Sequence, residues 1–213
     1  FVVGTLATLA RQAVVTPVNP EFQDRELGHI LSEAEPSAVF GSTTVADAAD
    51  HVPDDAVWYD VDGGDEPRTS LADAMAATDG DYRIPPTLDD QRAFLLYTSG
   101  TTGRPKGAIH TQDNFTAVSD ACMLSYDMKP GDGFLAAMPM YHCTGMSILG
   151  TTLKAGGELV LMARWDPTAA LEAIEDYHVN VFSGVPTMFR DWLAVEGSYD
   201  TSSMHTGVIG GSG

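Results

Sequence analysis

The stretch Leu95-Leu96-Tyr97-Thr98-Ser99-Gly100-Thr101-Thr102-Gly103-Arg104-Pro105-Lys106-Gly107 decides how the rest of the sequence is interpreted. An apolar run over residues 93–97 predicts a strand before it, and a helix is predicted from about Thr111. Its glycines reach backbone conformations closed to other residues, and successive N–H groups in such a loop form an anion site. Hydroxyl donors and one lysine complete a phosphate-binding composition. The candidate phosphate-binding residues are Thr98, Ser99, Gly100, Thr101, Thr102, Gly103 and Lys106.

Two better-known phosphate-binding patterns do not fit this stretch. Pro105 stands where the Walker A pattern needs its second glycine, and the spacing G-x-G-x-x-G of dinucleotide-binding loops is absent. The plain alternative is a flexible polar connection between a strand and a helix. Such a connection needs neither three spaced glycines nor a terminal Pro-Lys pair.

The residues from Tyr97 to Gly107 resemble the phosphate-loop signature of the adenylate-forming (AMP-binding) superfamily. This superfamily includes acyl-CoA synthetases, aryl-CoA ligases, luciferases and nonribosomal adenylation domains. Residues 1–40, with the turn Pro17-Val18-Asn19-Pro20, resemble the same superfamily upstream of its loop. The resemblance covers nearly the whole chain, but only part of the family's large N-terminal domain.

A second motif, Pro139-Met140-Tyr141-His142-Cys143-Thr144-Gly145-Met146, resembles the family's aromatic/His motif at the acyl pocket. In the family, the residue that matches His142 lies beside the bound carboxylate and acyl group, and Tyr141 and Gly145 fit the wall around it. A histidine that only packs or caps a helix is the alternative for this position. Gly184-Val185-Pro186-Thr187 resembles a further pocket segment. Gly210-Gly211-Ser212 resembles the start of the turn that packs against adenine and the acyl group.

The resemblance implies a two-step reaction with ATP, Mg²⁺ and CoA. A carboxylate attacks the α-phosphate of ATP, which gives an acyl-adenylate and releases pyrophosphate, and a thiol then takes the acyl group as a thioester. A site for this chemistry must hold the leaving phosphates in line and neutralise their charge. Lys106 and His142 are the candidate catalytic residues, and Thr101, Thr102 and Lys106 are the predicted leaving-group contacts.

Several parts of the family's machinery are not found in these residues. They are the Tyr-Gly-x-Thr-Glu stretch, whose acid helps to hold Mg²⁺, the ribose-binding Asp, the hinge, and the small C-terminal domain with its adenylation Lys. The sequence starts at Phe1 without an initiator Met and stops after a predicted strand and turn. We therefore expect a piece of a longer ligase, which alone does not complete catalysis.

The order of elements predicts an α/β fold, with largely parallel sheets flanked by helices. By the resemblance these form two partial subdomains of the family's N-terminal domain, about 1–107 ending in the phosphate loop and about 108–213 carrying the acyl pocket. Leu27, Ile30, Leu31 and Ala34 follow the helical period and predict one buried stripe. Asp166-Pro167 predicts a helix start with an N-cap followed by proline.

Composition excludes some classes of partner. The net charge is −19, with 30 Asp and Glu against 11 Lys and Arg, which disfavours nucleic-acid or anionic-membrane binding. Such a surface fits a cytoplasmic protein of a salt-loving microbe, and an acidic mesophilic protein is the alternative. No run of 18 apolar residues predicts a membrane span. Two cysteines predict no disulfide framework, and the six histidines lack metal-ligand spacing.

The leading interpretation is an acyl-CoA synthetase (AMP-forming) of fatty-acid metabolism or a close relative. A carrier-protein-loading adenylation domain is the alternative within the same chemistry, and a non-catalytic nucleotide-binding module is the alternative outside it. Methionines near the second motif suggest an apolar acyl pocket, although ordinary core positions explain them equally well. The acid substrate and the oligomeric state are left open by the sequence.

Overall fold

The computed structural model describes residues 1–42, 50–63, 68–78, 80–88, 90–98 and 105–210. The chain divides into two compact units, Phe1–Gln112 and Asp113–Gly213. The helices are α1 (Val2–Ala10), α2 (Asp24–Ala34), α3 (Leu71–Ala76), α4 (Gln112–Ser125), α5 (Cys143–Ala155), α6 (Pro167–Tyr177) and α7 (Pro186–Leu193). The strands are β1 (Ala38–Gly41), β2 (Val57–Asp60), β3 (Thr69–Ser70), β4 (Arg92–Thr98), β5 (Lys106–Thr111), β6 (Gly133–Ala136), β7 (Glu158–Leu161), β8 (Val181–Gly184) and β9 (Thr206–Ile209).

The first unit contains a parallel sheet in the order β1-β2-β3 and an antiparallel pair, β4-β5. Helix α2 packs on the parallel sheet, because Leu27 and Leu31 form a buried cluster with Trp58 of β2. Ile30 of the predicted stripe is also fully buried. The stripe therefore fixes which side of α2 faces the core.

A short parallel bridge joins the segment after α1 to strand β4. Val15 donates its backbone N–H to the Ala93 carbonyl at 2.8 Å and accepts from the Leu95 N–H at 2.9 Å. The sequence Ala13-Val14-Val15-Thr16 predicts a short buried strand, but the structure has only this bridge there. The sequence also predicts a short helix over residues 44–50, and nearly all of it lies outside the described residues.

The second unit is a four-stranded parallel sheet in the order β7-β6-β8-β9. Strand β6 is buried along its whole length. Phe134 and Ala136 pack into a cluster with residues of α5, whereas Leu135 packs into a second cluster with residues of α6. Since alternate side chains of a strand point to opposite faces, helices cover both faces of this sheet. The predicted α/β class is therefore confirmed.

The order of the strands in the second unit reverses around β6. The chain passes from β6 through α5 to β7 on one side, and then through α6 to β8 on the other side. The loops that leave β6 and β8 therefore diverge at the carboxyl ends of two neighbouring strands. In open α/β sheets this is the place where ligands bind.

The helix boundaries in the second unit follow the sequence signals. The Asp166 carboxylate accepts a hydrogen bond from the Ala169 N–H at 2.9 Å, and Pro167 is the first residue of α6, as predicted. Helix α5 ends at Ala155 and is followed by Gly156, whose φ of 61° is a left-handed conformation that glycine adopts without strain. Within the described residues, no helix is both long and apolar enough to cross a membrane.

Candidate functional site

The phosphate loop joins two strands of a hairpin rather than a strand and a helix. Thr98, the last residue of β4, pairs in register with Lys106, the first residue of β5. The Thr98 hydroxyl lies 3.5 Å from the Lys106 carbonyl oxygen, and both residues are exposed. The hairpin thus brings two of the candidate phosphate-binding residues opposite each other. The other candidates, Ser99, Gly100, Thr101, Thr102 and Gly103, lie outside the described residues.

Tyr97 lies just before the loop, and its hydroxyl donates a hydrogen bond to a carboxylate oxygen of Glu33 at 3.3 Å. Partial burial raises the pKa of Tyr97 above its ordinary value, and the negative charge of Glu33 raises it further. Tyr97 is therefore a neutral hydrogen-bond donor at neutral pH. At the other end of the loop, His29 Nε2 lies 3.0 Å from the Pro105 carbonyl oxygen.

In the second unit, His142 is the N-cap residue of α5. Its φ and ψ of −91° and 155° are extended, and its Nδ1 accepts a hydrogen bond from the Thr144 N–H at 3.3 Å. An imidazole that accepts at Nδ1 carries its proton on Nε2 when it is neutral. The exposed His142 ring is therefore held as an Nε2–H donor, which is the form that hydrogen-bonds a carboxylate.

The residues around His142 pack the preceding loop tightly against the first turn of α5. Gly145 is buried, and a Cβ at this position would lie 2.6 Å from the Met140 Cα and even closer to the Pro139 carbonyl oxygen. Only glycine allows the backbone at residue 145 to lie so close to the backbone of Pro139 and Met140. Tyr141 is partly buried beside His142. The motif thus fixes the position of the imidazole through backbone packing.

The three predicted pocket segments of the second unit leave the same edge of the sheet. The His142 segment follows β6, Gly184 ends β8, and Gly210 follows β9. These strands are parallel and adjacent, and the Gly210 N–H donates to the Gly184 carbonyl at 3.1 Å. The structure therefore places Tyr141, His142, Gly145 and Gly210 at the carboxyl ends of neighbouring strands. Gly211 and Ser212 fall outside the described residues.

Sequence reasoning missed two features of the first unit. One is strand β5, which begins with Lys106-Gly107, residues that are depleted in strands. The other is the pair His29 and Glu33 on α2, which contact residues at the two ends of the loop. Their spacing of one helical turn beside the apolar stripe is the signal that places them on one face of α2.

Comparison with known families identifies the chain. Residues 1–213 match the family described as AMP-binding enzyme. The chain belongs to the AMP-binding enzyme family. The resemblance that rests on the phosphate loop and the His142 motif is confirmed at the level of the family.

Individual members of the AMP-binding enzyme family match along much of the chain. A feruloyl-CoA synthase from Amycolatopsis sp is 34% identical over 204 residues, which are 94% of this chain and 39% of that protein. A 2-succinylbenzoate–CoA ligase from Bacillus cereus is 32% identical over 154 residues, 71% of this chain and 32% of the relative. The crystal structure of ATP-bound MatB from Rhodopseudomonas palustris superposes with a TM-score of 0.82 at 29% identity, covering 99% of this chain and 42% of MatB. The chain thus spans about two-fifths or less of these AMP-binding enzymes.

Within the part of the chain that the structure describes, no group of three or more His, Cys, Asp or Glu side chains could hold a metal ion. In the first unit the hairpin carries a hydroxyl and an ammonium group, which can donate hydrogen bonds to an anion. In the second unit the His142 imidazole can donate a hydrogen bond to a carboxylate.

Proposed function

We propose that the chain is part of an acyl-CoA synthetase (AMP-forming) that activates a carboxylic acid with ATP and Mg²⁺ and transfers the acyl group to CoA. The observation that carries the proposal is the match of residues 1–213 to the AMP-binding enzyme family. The relatives named as CoA synthase and CoA ligase favour CoA as the acceptor. Because the chain covers 39% of the feruloyl-CoA synthase, we infer that further residues complete the enzyme.

Each unit has a distinct part in the proposed reaction. Bound ATP supplies the activated α-phosphate and the pyrophosphate leaving group. Lys106 and the hydroxyl and glycine residues of the loop bind the β- and γ-phosphates and offset their charge. His142 orients the substrate carboxylate through its Nε2–H, while Tyr141, Gly145, Gly210, Gly211 and Ser212 line the acyl and adenine pocket.

The test is acid-dependent exchange between ATP and labelled pyrophosphate by the complete protein, with a panel of aliphatic and aromatic carboxylic acids. Lys106→Met keeps the length and apolar stem of the side chain but removes its charge, so we expect kcat/KM to fall by about 100-fold. Lys129→Met is the matched control, since Lys129 is an exposed lysine 3.7 Å from Asp127 and outside the candidate site. It should exchange at the wild-type rate.

The outcomes of this test separate the alternatives. Exchange followed by acyl-CoA formation supports the synthetase. Exchange with acyl transfer only to a carrier protein would favour a carrier-protein-loading adenylation domain. ATP binding without exchange for any acid would favour a non-catalytic nucleotide-binding module. The 213-residue chain alone should show no exchange, and brisk exchange by it would contradict the need for further residues.

A cytoplasmic location, a halophilic source and a role in fatty-acid metabolism stay predictions. The first two rest on the acidic composition, and the third rests on the resemblance to acyl-CoA synthetases. The acid panel tests the third directly, because fatty acids and aromatic acids appear in it side by side. A clear preference for aromatic acids would contradict a role in fatty-acid metabolism.

A further inference from the structure

Helix α2 contacts residues at both ends of the phosphate loop. His29 Nε2 lies 3.0 Å from the Pro105 carbonyl oxygen, next to Lys106. Four residues along the same helix, Glu33 accepts a hydrogen bond from the Tyr97 hydroxyl at 3.3 Å. Tyr97 directly precedes Thr98, the first of the candidate phosphate-binding residues. One helix therefore bonds to the chain just before it enters the loop and again as it leaves.

These contacts form one connected group, which we call the His29 cluster: His29, Glu33, Tyr97 and the Pro105 carbonyl. His29 Nε2 is 3.7 Å from the Glu33 carboxylate, and the His29 and Tyr97 rings meet edge to face with centroids 6.5 Å apart. A carbonyl oxygen only accepts hydrogen bonds, so His29 carries a proton on Nε2. The carboxylate beside it favours that arrangement. Every hydrogen bond in the cluster thus has a defined donor and acceptor.

The cluster is anchored to the core of the first unit. Ile30, the neighbour of His29 in sequence, is fully buried, and Leu27 and Leu31 pack against Trp58. The His29 side chain itself is only 22% exposed. The packed helix therefore fixes the position of His29, and the hydrogen bond from His29 in turn restrains the position of Pro105.

Groups that are already held in their binding arrangement lose less conformational entropy when a ligand binds, and binding is therefore stronger. The described ends of the phosphate loop, Thr98 and Pro105-Lys106, are held in this way because their neighbours contact α2. We propose that His29, supported by Glu33 and Tyr97, is a positioning residue that holds the ends of the phosphate loop in the arrangement that binds the β- and γ-phosphates of ATP. This inference rests on the proposed function, because it assigns the loop to ATP.

The test is the kinetics of His29→Leu in the complete protein. Loss of one hydrogen bond at the loop should raise KM for ATP, and KM for pyrophosphate in the exchange reaction, by about three- to tenfold. KM for the acid should change little, because the proposed function assigns the acid to the His142 segment and not to the loop. His29→Gln keeps an N–H donor at a similar reach and should restore most of the affinity for ATP.

His51→Leu is the matched control. His51 is also partly buried, with a side chain 29% exposed, and its Nε2 also bonds to a residue of α2, Asp24, at 2.6 Å. This bond lies at Asp24, the first residue of α2, and not at Pro105 or Tyr97, so the His51→Leu variant should keep the wild-type KM for ATP. An unchanged KM for ATP in His29→Leu, an equal rise in His51→Leu, or no recovery in His29→Gln would overturn the proposal.

Two further measurements cover the other possible results. If His29→Leu does not fold, Tyr97→Phe removes only one hydroxyl and should raise KM for ATP by about threefold; a wild-type KM would overturn the proposal. If the wild-type protein shows no acid-dependent exchange, the proposed function fails. Amide hydrogen exchange over residues 106–111 then tests the cluster: faster exchange in His29→Leu than in wild type supports it, and equal exchange overturns it.

Discussion

The residue His142 combines a structural and a proposed chemical role. It caps α5 through Nδ1, and the same hydrogen bond leaves the proton on Nε2. Cys143 Sγ also lies 3.4 Å from this Nδ1, and the Thr144 hydroxyl lies 3.2 Å from it. The Thr144 backbone N–H can only donate, so it determines the tautomer, and the hydroxyl and the thiol can both donate to the same nitrogen. His142 can therefore cap α5 through Nδ1 and still offer its Nε2–H to a substrate.

Two substitutions separate the roles of His142. Asn is a good N-cap, so His142→Asn should keep the Tm within about 1 °C of wild type, whereas His142→Ala loses the cap and about 1 kcal/mol of stability. Both variants lose the Nε2–H, so both should lower kcat/KM for the acid by about 100-fold. Thermal melting and pyrophosphate exchange measure the two effects. Full activity in His142→Asn would show that the imidazole only caps the helix.

Individual residues were predictable where a contiguous motif places them, and less so where contacts come from distant sequence. The His142 motif and the Asp166-Pro167 helix start are local patterns, and the structure has both helices starting there. His29 and Pro105 are 76 positions apart in sequence. A contact over that separation depends on how α2 packs within the first unit, and no local sequence pattern specifies this packing.

At the scale of elements, the parallel strands of the second unit follow the sequence most closely. The apolar run Phe134-Leu135-Ala136-Ala137-Met138 predicts a strand, and β6 occupies residues 133–136. Burial on both faces explains why the run is continuous rather than alternating. Strand β5 was not predicted, because residues 106–111 have little apolar pattern in the sequence. In the structure this strand is largely exposed, and Ile109 is 56% exposed. Its strand conformation comes from pairing with β4, with Leu95 opposite Ile109.

Helix α4 shows how packing against a neighbour changes the expected buried face. The sequence pattern predicts that Phe115, Val118 and Cys122 face one way, but Val118 is 42% exposed and Ser119 is buried instead. Gly150 of α5 explains the difference. A Cβ there would lie 2.7 Å from Phe115 Cζ and still closer to Ser119 Oγ, so a small residue on each helix permits the close approach.

Gly150→Ala tests this close packing of α4 and α5. Overpacking costs about 1–3 kcal/mol, and the better helix propensity of Ala returns up to about 1 kcal/mol. We expect a net loss of about 1–2 kcal/mol in the free energy of unfolding, measured by chemical denaturation of the complete protein. Gly4→Ala is the control, because a Cβ at this helical position would lie an ordinary 3.8 Å from the Phe40 ring. If Gly150→Ala has a free energy of unfolding equal to or above that of Gly4→Ala, the packing argument is wrong.

At the scale of the whole molecule, each unit has its own buried clusters. Their assignment to two subdomains of the AMP-binding enzyme N-terminal domain stays a prediction, as do the roles of the individual site residues. The sequence predicted the family and the α/β class because both depend on local motifs and on the order of elements. The order of strands around β6 depends on long-range pairing, and no local pattern specified it.

The net charge of −19 leads to a prediction about salt. Repulsion among 30 acidic side chains, with only 11 Lys and Arg to offset it, destabilises the compact state, and molar salt shortens the screening length from about 10 Å to about 3 Å. The Tm of the complete protein should therefore rise by about 5 °C or more between 0.1 M and 2 M KCl. Removing exposed charges by Asp54→Asn and Asp55→Asn should reduce this rise, whereas an uncharged osmolyte such as sucrose should stabilise the variant and the wild type equally. A Tm that does not increase with KCl would contradict the halophilic interpretation and favour an acidic mesophilic protein.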